Sequence, residues 1–329
     1  MIRYLAGRAA QALITVLIVS AAIFCLFQII PGDPVLALLG DSADPVLEAA
    51  LREQLKLDRP AIVRYADWAY NALRGDLGIS YRYSRPVGAL MLERLPNTLA
   101  LSAISLLLVI FTGIPLGIAA ARFSRNARGA LFNVVTQIGA SIPSFFLATI
   151  LIVVFSLGLG WFSVIGYVPW GEDPVACVRG LTLPAVAIAA AAVASLARYT
   201  RSSVLEQLSM DYVRTAKSKG LSTRRILYVH VLRNALVPVL TMFGLLLTGV
   251  LSGVLVVEAA FSIPGIGNLL HGGIKTRDLP LVQGISLYIS VVVVFVFFII
   301  DILYHIIDPR IGAMRGPTAG EGSGDANER

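Results

Sequence analysis

Two long runs without a charged residue limit the folds that this chain can adopt. One extends from Ala9 to Ile30 and the other from Gly129 to Gly171. A helix needs about 20 apolar residues to cross the hydrocarbon core of a bilayer. A helix also satisfies its own backbone N–H and C=O groups where no water is present. Both runs are therefore predicted to contain membrane-spanning helices.

The alternative for the first run is a cleaved signal peptide. The apolar region of a signal peptide is about 7–15 residues long and ends at small residues. The run here is longer and ends at the helix-stopping sequence Pro31-Gly32-Asp33-Pro34. Arg3 and Arg8 precede it, and basic residues mark the cytoplasmic side of a span. We therefore predict an uncleaved first span with a cytoplasmic N-terminus.

Composition supports a membrane protein rather than a soluble one. Of the 329 residues, 57% are hydrophobic and 14% are charged, whereas soluble domains have about 25% charged residues. The net charge of +7 comes from residues beside the predicted spans, so it indicates membrane lipid and not nucleic acid as the partner. Cys25 in a predicted span and Cys177 in a predicted outer loop are not expected to form a disulfide.

The order of apolar and charged segments predicts an all-α polytopic protein with six spans and both termini in the cytoplasm. Short loops with basic clusters, such as Arg122, Arg125 and Arg128, are assigned to the cytoplasm. The predicted spans are 9–30, 97–121, 130–157, 183–200, 235–257 and 281–307. The predicted segments outside them are a cytoplasmic N-terminus 1–8, an extracytoplasmic helical lobe 31–96, a basic cytoplasmic loop 201–234, an extracytoplasmic loop 258–280, and a cytoplasmic tail 308–329 that is expected to be disordered from 316.

Small residues and prolines predict how some spans pack. Pro143 is expected to kink the third span, because proline removes a backbone donor. The fourth span is rich in alanine, whose small side chain lets helices approach closely, so it is predicted to be internal. Gly249 and Gly253 form a GxxxG pattern that offers a further packing face in the fifth span.

The predicted outer lobe contains two stretches with helical spacing, Pro45 to Leu57 and Ile62 to Leu73. Two roles remain open for the lobe. It either contacts a protein that delivers the solute or braces the outer face of the spans.

The most basic segment of the chain extends from Asp211 to Pro238. Its sequence predicts a helix, a tight turn at Gly220 and a second helix that Ser222 caps. A positively charged helix–turn–helix held at the membrane surface is a suitable shape for a partner protein to bind.

This segment resembles the cytoplasmic loop of ABC-importer permeases of the peptide/nickel subfamily. Arg214 and Leu232-Arg233 depart from the generic permease pattern, and the subfamily shares both departures. The subfamily pattern reads DYxRTAxxKG and then HxLRNAxxP, which is matched here by Asp211-Tyr212, Arg214-Thr215-Ala216, Lys219-Gly220, His230, Leu232-Arg233-Asn234-Ala235 and Pro238. Further matches are PGDP at 31–34, ExxF…PGxG at 258–267 and RDxP at 277–280.

The resemblance implies the type I ABC importer permease fold and import of dipeptides or oligopeptides. The implied partners are a second homologous permease, two cytoplasmic ABC ATPases and an extracytoplasmic solute-binding protein. ATP and Mg would be bound by the ATPases, with no cofactor in this chain. The implied ATPase-coupling residues are Asp211, Tyr212, Arg214, Thr215, Ala216, Lys219, Gly220, Arg233 and Asn234. Those implied on the side of the binding protein are Asp33, Asp76, Glu258, Pro264 and Gly265. Nickel chelates, glutathione or another small peptide-like solute remain the alternative substrates.

The sequence offers little for an enzyme or a stand-alone carrier. It lacks the phosphate-binding GxxxxGK[ST] pattern, and no nucleophile–base pair is evident. His230, His271 and His305 have no metal-ligand spacing. Glu258 and Asp301 lie near span ends, where we expect water to reach them, so an interfacial role is favoured over a place in the substrate path. An intramembrane enzyme, a secondary transporter and a channel are therefore remote alternatives.

Overall fold

The computed structural model describes residues 2–29, 35, 45–54, 58–124, 126–163 and 167–307. Within these residues all regular secondary-structure elements are helices. One isolated antiparallel bridge joins Ile79 to Pro86. Five helices are long and apolar enough to cross a membrane, and a bent pair makes a sixth if it counts as one span. The all-α, multi-span prediction is confirmed, while the cytoplasmic position of the termini stays a prediction. The predicted helix stop at 31–34 and the predicted disordered tail lie outside the described residues.

The helices differ greatly in length, and two stretches of π-helix adjoin them. Ile152–Gly158 extends α6, and Ile226–Val231 joins α9 to α10. In chain order the helices are α1 (Ile2–Ile29), α2 (Pro45–Gln54), α3 (Ala61–Leu73), α4 (Val87–Arg122), α5 (Ala127–Ser141), α6 (Ser144–Leu151), α7 (Pro174–Ser209), α8 (Asp211–Ser218), α9 (Thr223–Arg225), α10 (Leu232–Ala260), α11 (Ile266–Lys275) and α12 (Leu279–Ile307).

Two helices extend well beyond the predicted spans. α4 begins at Val87 instead of 97, and α7 covers Pro174–Ser209 instead of 183–200. Hydropathy marks where a chain crosses the membrane, but helical hydrogen bonding continues past the membrane surface. Asp173 starts α7, because its Oδ1 accepts hydrogen bonds from the N–H groups of Val175 (2.9 Å) and Ala176 (3.0 Å). Cys177 therefore lies in the first turns of α7, not in an outer loop as predicted.

The central helix is α7. In its most apolar window 61% of the residues are buried, compared with 11% in α1 and α12. The helices α4, α5, α6 and α10 all pack against it. Ala185, Ala187 and Ala189 are among its buried residues, and their small side chains allow these close approaches. The prediction that the fourth span is internal is confirmed.

Close packing of α4 on α7 depends on two glycines that the sequence analysis passed over. A Cβ atom at Gly117 would lie 2.5 Å from the carbonyl oxygen of Ala197, and one at Gly113 would lie 3.2 Å from Leu196. By contrast, a Cβ at Gly249 would have no neighbour within 4 Å. Gly113 and Gly117 thus form a close-packing GxxxG face. Of the pair predicted in α10, Gly253 faces α7, because its Cβ would lie 3.5 Å from Ile188, whereas Gly249 does not face a neighbouring helix.

The predicted third span is broken, not kinked. α5 and α6 meet at an angle of 99° beside Pro143. Ile142 has an extended backbone (φ −82°, ψ 121°), because the ring of a following proline disfavours helical backbone at the preceding residue. A single kinked helix over 130–157 is therefore replaced by two helices at nearly right angles.

The first and last long helices, α1 and α12, pack against each other. Arg8 Nη1 lies 3.0 Å from Asp301 Oδ2, and both side chains are largely shielded from solvent. Asp301 is therefore held in an ion pair between two spans.

Candidate functional site

The short helix α8 is fixed to the bundle by its apolar face. Val213 and Ala216 are buried among residues of α4, α7, α10 and the π-helical stretch. We call this group the anchoring cluster, and its buried members are Ala121, Val204, Val213, Ala216, Ile226, Leu227, Val231 and Ala235. Burying one valine side chain is worth about 2 kcal/mol. α8 therefore packs on the end of α7 and on the π-helical stretch that leads into α10.

Two hydrogen bonds support the anchoring cluster. Ser203 Oγ in α7 donates to the carbonyl oxygen of Ala235 in α10 at 2.9 Å, and this contact is buried. The Tyr212 hydroxyl in α8 contacts Gln207 Oε1 at the end of α7 at 3.0 Å. Tyr212, which was predicted to couple to an ATPase, is half-buried and holds α8 against α7.

The turn after α8 has the geometry that the sequence predicts. Gly220 has φ +77°, and a Cβ there would meet no atom within 4 Å. The backbone conformation, and not lack of space, therefore requires glycine. The N–H of Gly220 bonds to Lys217 O (2.9 Å) and that of Leu221 to Ala216 O (3.2 Å), which is a Schellman motif. Ser222 Oγ then accepts from the N–H of Arg225 at 3.4 Å and caps the next helix.

The outer face of this helix–turn–helix is exposed and cationic. Asp211 and Arg214 form an ion pair at 3.4 Å, but their side chains are 93% and 80% exposed, so water and salt screen it. The exposed basic residues of this face are Arg214, Lys217, Lys219, Arg224, Arg225 and Arg233. Of the predicted coupling residues, the exposed ones are Asp211, Arg214, Thr215, Lys219, Gly220, Arg233 and Asn234, whereas Ala216 is buried. Their coupling role stays a prediction.

The opposite end of α10 carries a buried carboxylate, that of Glu258. Its residue exposure is 0%, and its Oε2 accepts from the N–H of Gly267 at 2.7 Å in the first turn of α11. A side chain at Gly265 would overlap this carboxylate, and one at Gly267 would overlap the backbone of Leu255. Our expectation that water reaches Glu258 is wrong, because α11 folds back over the end of α10. The spacing of ExxF…PGxG has a physical reason, because Glu258 bonds to the N–H of Gly267 and neither Gly265 nor Gly267 has room for a side chain.

A hydrogen-bond chain joins this turn to α4 and to the loop before α7. Asn97 Nδ2 donates to the carbonyl oxygen of Pro264 at 2.7 Å, and the Tyr167 hydroxyl donates to Asn97 Oδ1 at 2.5 Å. Burial raises the pKa of Tyr167 to about 12, and its contact with Cys177 adds to the increase. Tyr167 therefore keeps its proton and remains a donor. The N–H of Ile266 donates to Thr98 Oγ1 at 2.9 Å and closes the connection.

Asp278 is the residue at this end that the sequence analysis left without a role. It is buried, and its carboxylate accepts four hydrogen bonds. The donors are Ser80 Oγ (2.5 Å), the N–H of Tyr81 (3.1 Å), the N–H of Arg82 (3.1 Å) and the N–H of Leu281 (3.3 Å). Asp278 thus ties the loop before α4 to the first turn of α12. Burial raises the pKa of Tyr81, and the nearby Asp278 carboxylate raises it further. The RDxP match was the available signal for this residue.

The residues predicted on the side of the binding protein differ in exposure. Asp76 is exposed, and its Oδ1 accepts from the N–H of Gly78 at 2.9 Å. Pro264 is half-buried, while Glu258 and Gly265 are buried. Asp33 lies outside the described residues. A role toward a binding protein stays a prediction for all five, and Glu258 and Gly265 would act by shaping the turn.

The described part of the chain offers no metal centre. Within it, no three His, Cys, Asp or Glu side chains come together in a group that could hold a metal ion. The acids near span ends, Glu258 and Asp301, are already engaged by the N–H of Gly267 and by Arg8.

Comparison with known proteins agrees with this architecture. Residues 113–313 match the model of the family described as binding-protein-dependent transport system inner membrane component, and residues 1–102 match the N-terminal model of the same system. A putative peptide transport system permease protein of Brucella abortus is 40% identical over 304 residues, covering 92% of this chain and 97% of that protein.

Two further relatives differ in the solute that their names state. The oligopeptide transport system permease protein of Bacillus subtilis is 38% identical over 320 residues, covering 94% of this chain and 99% of the relative. The glutathione transport system permease protein of Salmonella typhimurium is 35% identical over 311 residues, with 94% and 99% coverage. The spans and these matches show a multi-pass inner-membrane protein. The chain therefore belongs to the binding-protein-dependent transport system inner membrane components, the permease family of ABC importers.

Proposed function

We propose that this chain is one of two paired permease subunits of an ATP-driven peptide importer, and that α8 transmits the movement of the ATPases to the spans. The second permease completes the translocation path. Two ATPases bind ATP and Mg²⁺ on the cytoplasmic side, and a solute-binding protein delivers peptide on the other side. The observation that carries this proposal is the two-sided character of α8, which is anchored by its buried face and exposes a cationic one.

The packing of α8 supports its action as a lever. Val213 and Ala216 fill space in a closely packed interior, and such an interior transmits displacement instead of absorbing it. The Schellman turn at Gly220 fixes the angle between α8 and the following helix. A force on α8 therefore reaches α7 directly and α10 through the π-helical stretch Ile226–Val231. Because α7 is the most buried span, its displacement changes the packing of every helix around it.

The charge of the exposed face supports ATPase docking. The basic residues of α8 and of the turn project from one end of the bundle. Charges at the rim of an interface steer association and select partners more than they add affinity. A partner groove lined by acidic residues would match this surface, and its binding would weaken as salt increases.

The proposed substrate class rests on the relatives. The Brucella and Bacillus proteins are named for peptide and oligopeptide transport, and the Salmonella protein for glutathione, which is itself a tripeptide. Glutathione transport is therefore the second candidate, within the same class of importer. Nickel chelates remain a third possibility that the names of these three relatives do not support.

The test is substrate-stimulated ATP hydrolysis in reconstituted vesicles. The chain is co-expressed with the neighbouring permease, ATPase and binding-protein genes and reconstituted as a complex. The binding protein is then added with di- to hexapeptides, glutathione or a nickel chelate. Stimulation by peptides supports the proposal, and the most effective length defines the preference. Stimulation of ATP hydrolysis by glutathione alone or by the nickel chelate alone would identify that compound as the substrate in place of peptides. Uptake by this chain without any ATPase would overturn the proposal.

A further inference from the structure

The helix α3 has a wide apolar face, and only part of it is covered by the protein. Successive residues of a helix are about 100° apart. Tyr65, Trp68 and Ala72 therefore lie on one side of α3. The adjoining flank, at about 60–160° from Tyr65, is formed by Ile62, Val63, Ala66, Tyr70 and Leu73. The remaining sector is polar and carries Arg64, Asp67 and Asn71.

The covered side of α3 packs on α1 near one end of its apolar run. The rings of Tyr65 and Trp68 lie 5.5 Å and 6.2 Å from the ring of Phe24. The Tyr65 hydroxyl is 2.8 Å from Ser20 Oγ. The apolar run of α1 covers Ala6–Leu26. Phe24 and Ser20 both belong to the last part of that run, so α3 lies at the boundary between hydrocarbon and headgroups.

The adjoining flank is exposed although it is apolar. Ile62 is 74% exposed, Tyr70 54% and Leu73 87%. The same surface continues onto α1, where Leu17 and Leu26 are also exposed. Because α1 is a membrane span, its exposed leucines face lipid. The uncovered flank of α3 extends that lipid-facing surface sideways at the same level.

We propose that α3 is an interfacial helix whose uncovered flank is buried among lipid acyl chains, in the leaflet nearer the C-terminal end of α1. An amphipathic helix binds in this way by inserting its apolar face about 5–10 Å into the headgroup boundary. The polar sector then faces the headgroups and water. Arg64 lies beside Phe24, with its guanidinium 6.0 Å from the ring centroid, and from there it can extend toward the headgroups.

The position of α3 bears on the lobe 31–96. The sequence predicts an extracytoplasmic helical lobe for this whole segment. With α3 in the leaflet, the segment between the first two spans is held at the membrane by the helix that precedes α4. The inference does not depend on the transported solute or on the ATPases.

The test measures the lipid exposure of spin labels on α3 of the full-length chain. The chain is reconstituted in vesicles of phosphatidylethanolamine and phosphatidylglycerol. Cys25 is replaced by alanine, and the buried Cys177 is retained. Single labels are attached at Ile62→Cys or Leu73→Cys on the apolar flank and at Asp67→Cys or Asn71→Cys on the polar sector. Labels at Leu17→Cys and Glu172→Cys serve as the lipid and water references.

The apolar flank and the polar sector are expected to differ in the sign of the logarithm of the accessibility ratio. The logarithm of the ratio of oxygen to nickel-chelate accessibility should be positive at positions 62 and 73, as at 17, and negative at 67 and 71, as at 172. Negative values at all four positions would place α3 in water and overturn the proposal. Low accessibility to both reagents at 62 and 73 would mean that protein covers the flank, which also overturns it.

Tryptophan fluorescence gives a second measurement on the uncovered flank. Trp68, Trp161 and Trp170 are replaced by phenylalanine, and Tyr70→Trp then supplies the single tryptophan. Phospholipids brominated on their acyl chains should quench its emission more than aqueous iodide does. The reverse order would contradict the insertion of α3.

Discussion

The two ends of the helix bundle are held by different kinds of interaction. At the end near α8 the contacts are mainly apolar, with a buried hydrogen bond from Ser203 to Ala235, and the charged side chains project into solvent. At the other end the carboxylates of Glu258 and Asp278 are buried and accept hydrogen bonds from backbone N–H groups. Apolar contacts have no direction and weaken gradually as groups separate, whereas hydrogen bonds require a defined geometry. Removing one hydrogen-bonding group at the Glu258 end should therefore cause a large loss of stability. At the α8 end the loss should be proportional to the buried apolar area that is removed.

The largest effect is expected for Asp278→Ala. The substitution leaves four donors at a buried site without their acceptor, and the expected loss is about 3–5 kcal/mol in the free energy of unfolding. Denaturant unfolding of the purified chain in detergent measures it. Asp278→Asn keeps one carbonyl acceptor and should lose less. Equal stability of Asp278→Ala and the parent chain would show that this carboxylate does not hold the Glu258 end of the bundle together.

The second largest loss of stability is expected for Gly265→Ala. Its new methyl group would overlap the Glu258 carboxylate, and overpacking of this kind costs about 1–3 kcal/mol. The matched control is Gly249→Ala in α10, where the methyl group meets open space. The control should be as stable as the parent or more stable, because alanine favours helix. Thermal unfolding of both variants measures the difference. Identical melting temperatures for Gly265→Ala and Gly249→Ala would contradict the packing of Gly265 on Glu258.

A smaller loss is expected for Val213→Ala in the anchoring cluster. Removing two buried methyl groups should cost about 1–2 kcal/mol. Lys217→Ala on the exposed face of α8 should change the stability by less than about 0.5 kcal/mol. Measured in the same unfolding experiment, a larger loss for Lys217→Ala than for Val213→Ala would reverse the assignment of the buried and exposed faces.

The smallest effect on stability is expected for Arg214→Ala. Its ion pair with Asp211 is exposed, so the unfolding free energy should stay within about 0.5 kcal/mol of the parent value. Co-purification of the ATPases should nevertheless fall and become more sensitive to salt. Arg179→Ala removes one exposed cation from the other end of the bundle and serves as the charge control. Equal ATPase recovery with both variants would contradict docking on α8.

Sequence patterns predicted the helix–turn–helix because its determinants are local. A positive φ at Gly220 and a cap at Ser222 depend on residues within one or two turns. The internal position of α7 was likewise evident from its alanine content. Within the described residues, hydropathy also indicated the regions where the long apolar helices lie.

Features that depend on neighbouring helices were missed. The sequence shows that Glu258 is near the end of a span, but not that α11 folds over it. It contains two GxxxG patterns in long helices. Only the structure shows that both glycines of the Gly113 pattern face a neighbouring helix closely, whereas only Gly253 of the other pair does so. Pro143 predicts a distortion of the third span, but not that α5 and α6 lie at 99° to each other and both pack on α7.

The most direct test of the account is the number of peptides imported per ATP hydrolysed by Gly220→Val. At φ +77° a β-branched side chain adds strain of about 1–3 kcal/mol, although no atom obstructs it. We expect the complex to assemble and hydrolyse ATP, while uptake per ATP falls severalfold because the angle between α8 and the next helix is lost. Gly220→Asn, which tolerates this backbone, should remain near the parent ratio. An unchanged ratio for Gly220→Val would contradict the proposal that α8 acts as a lever.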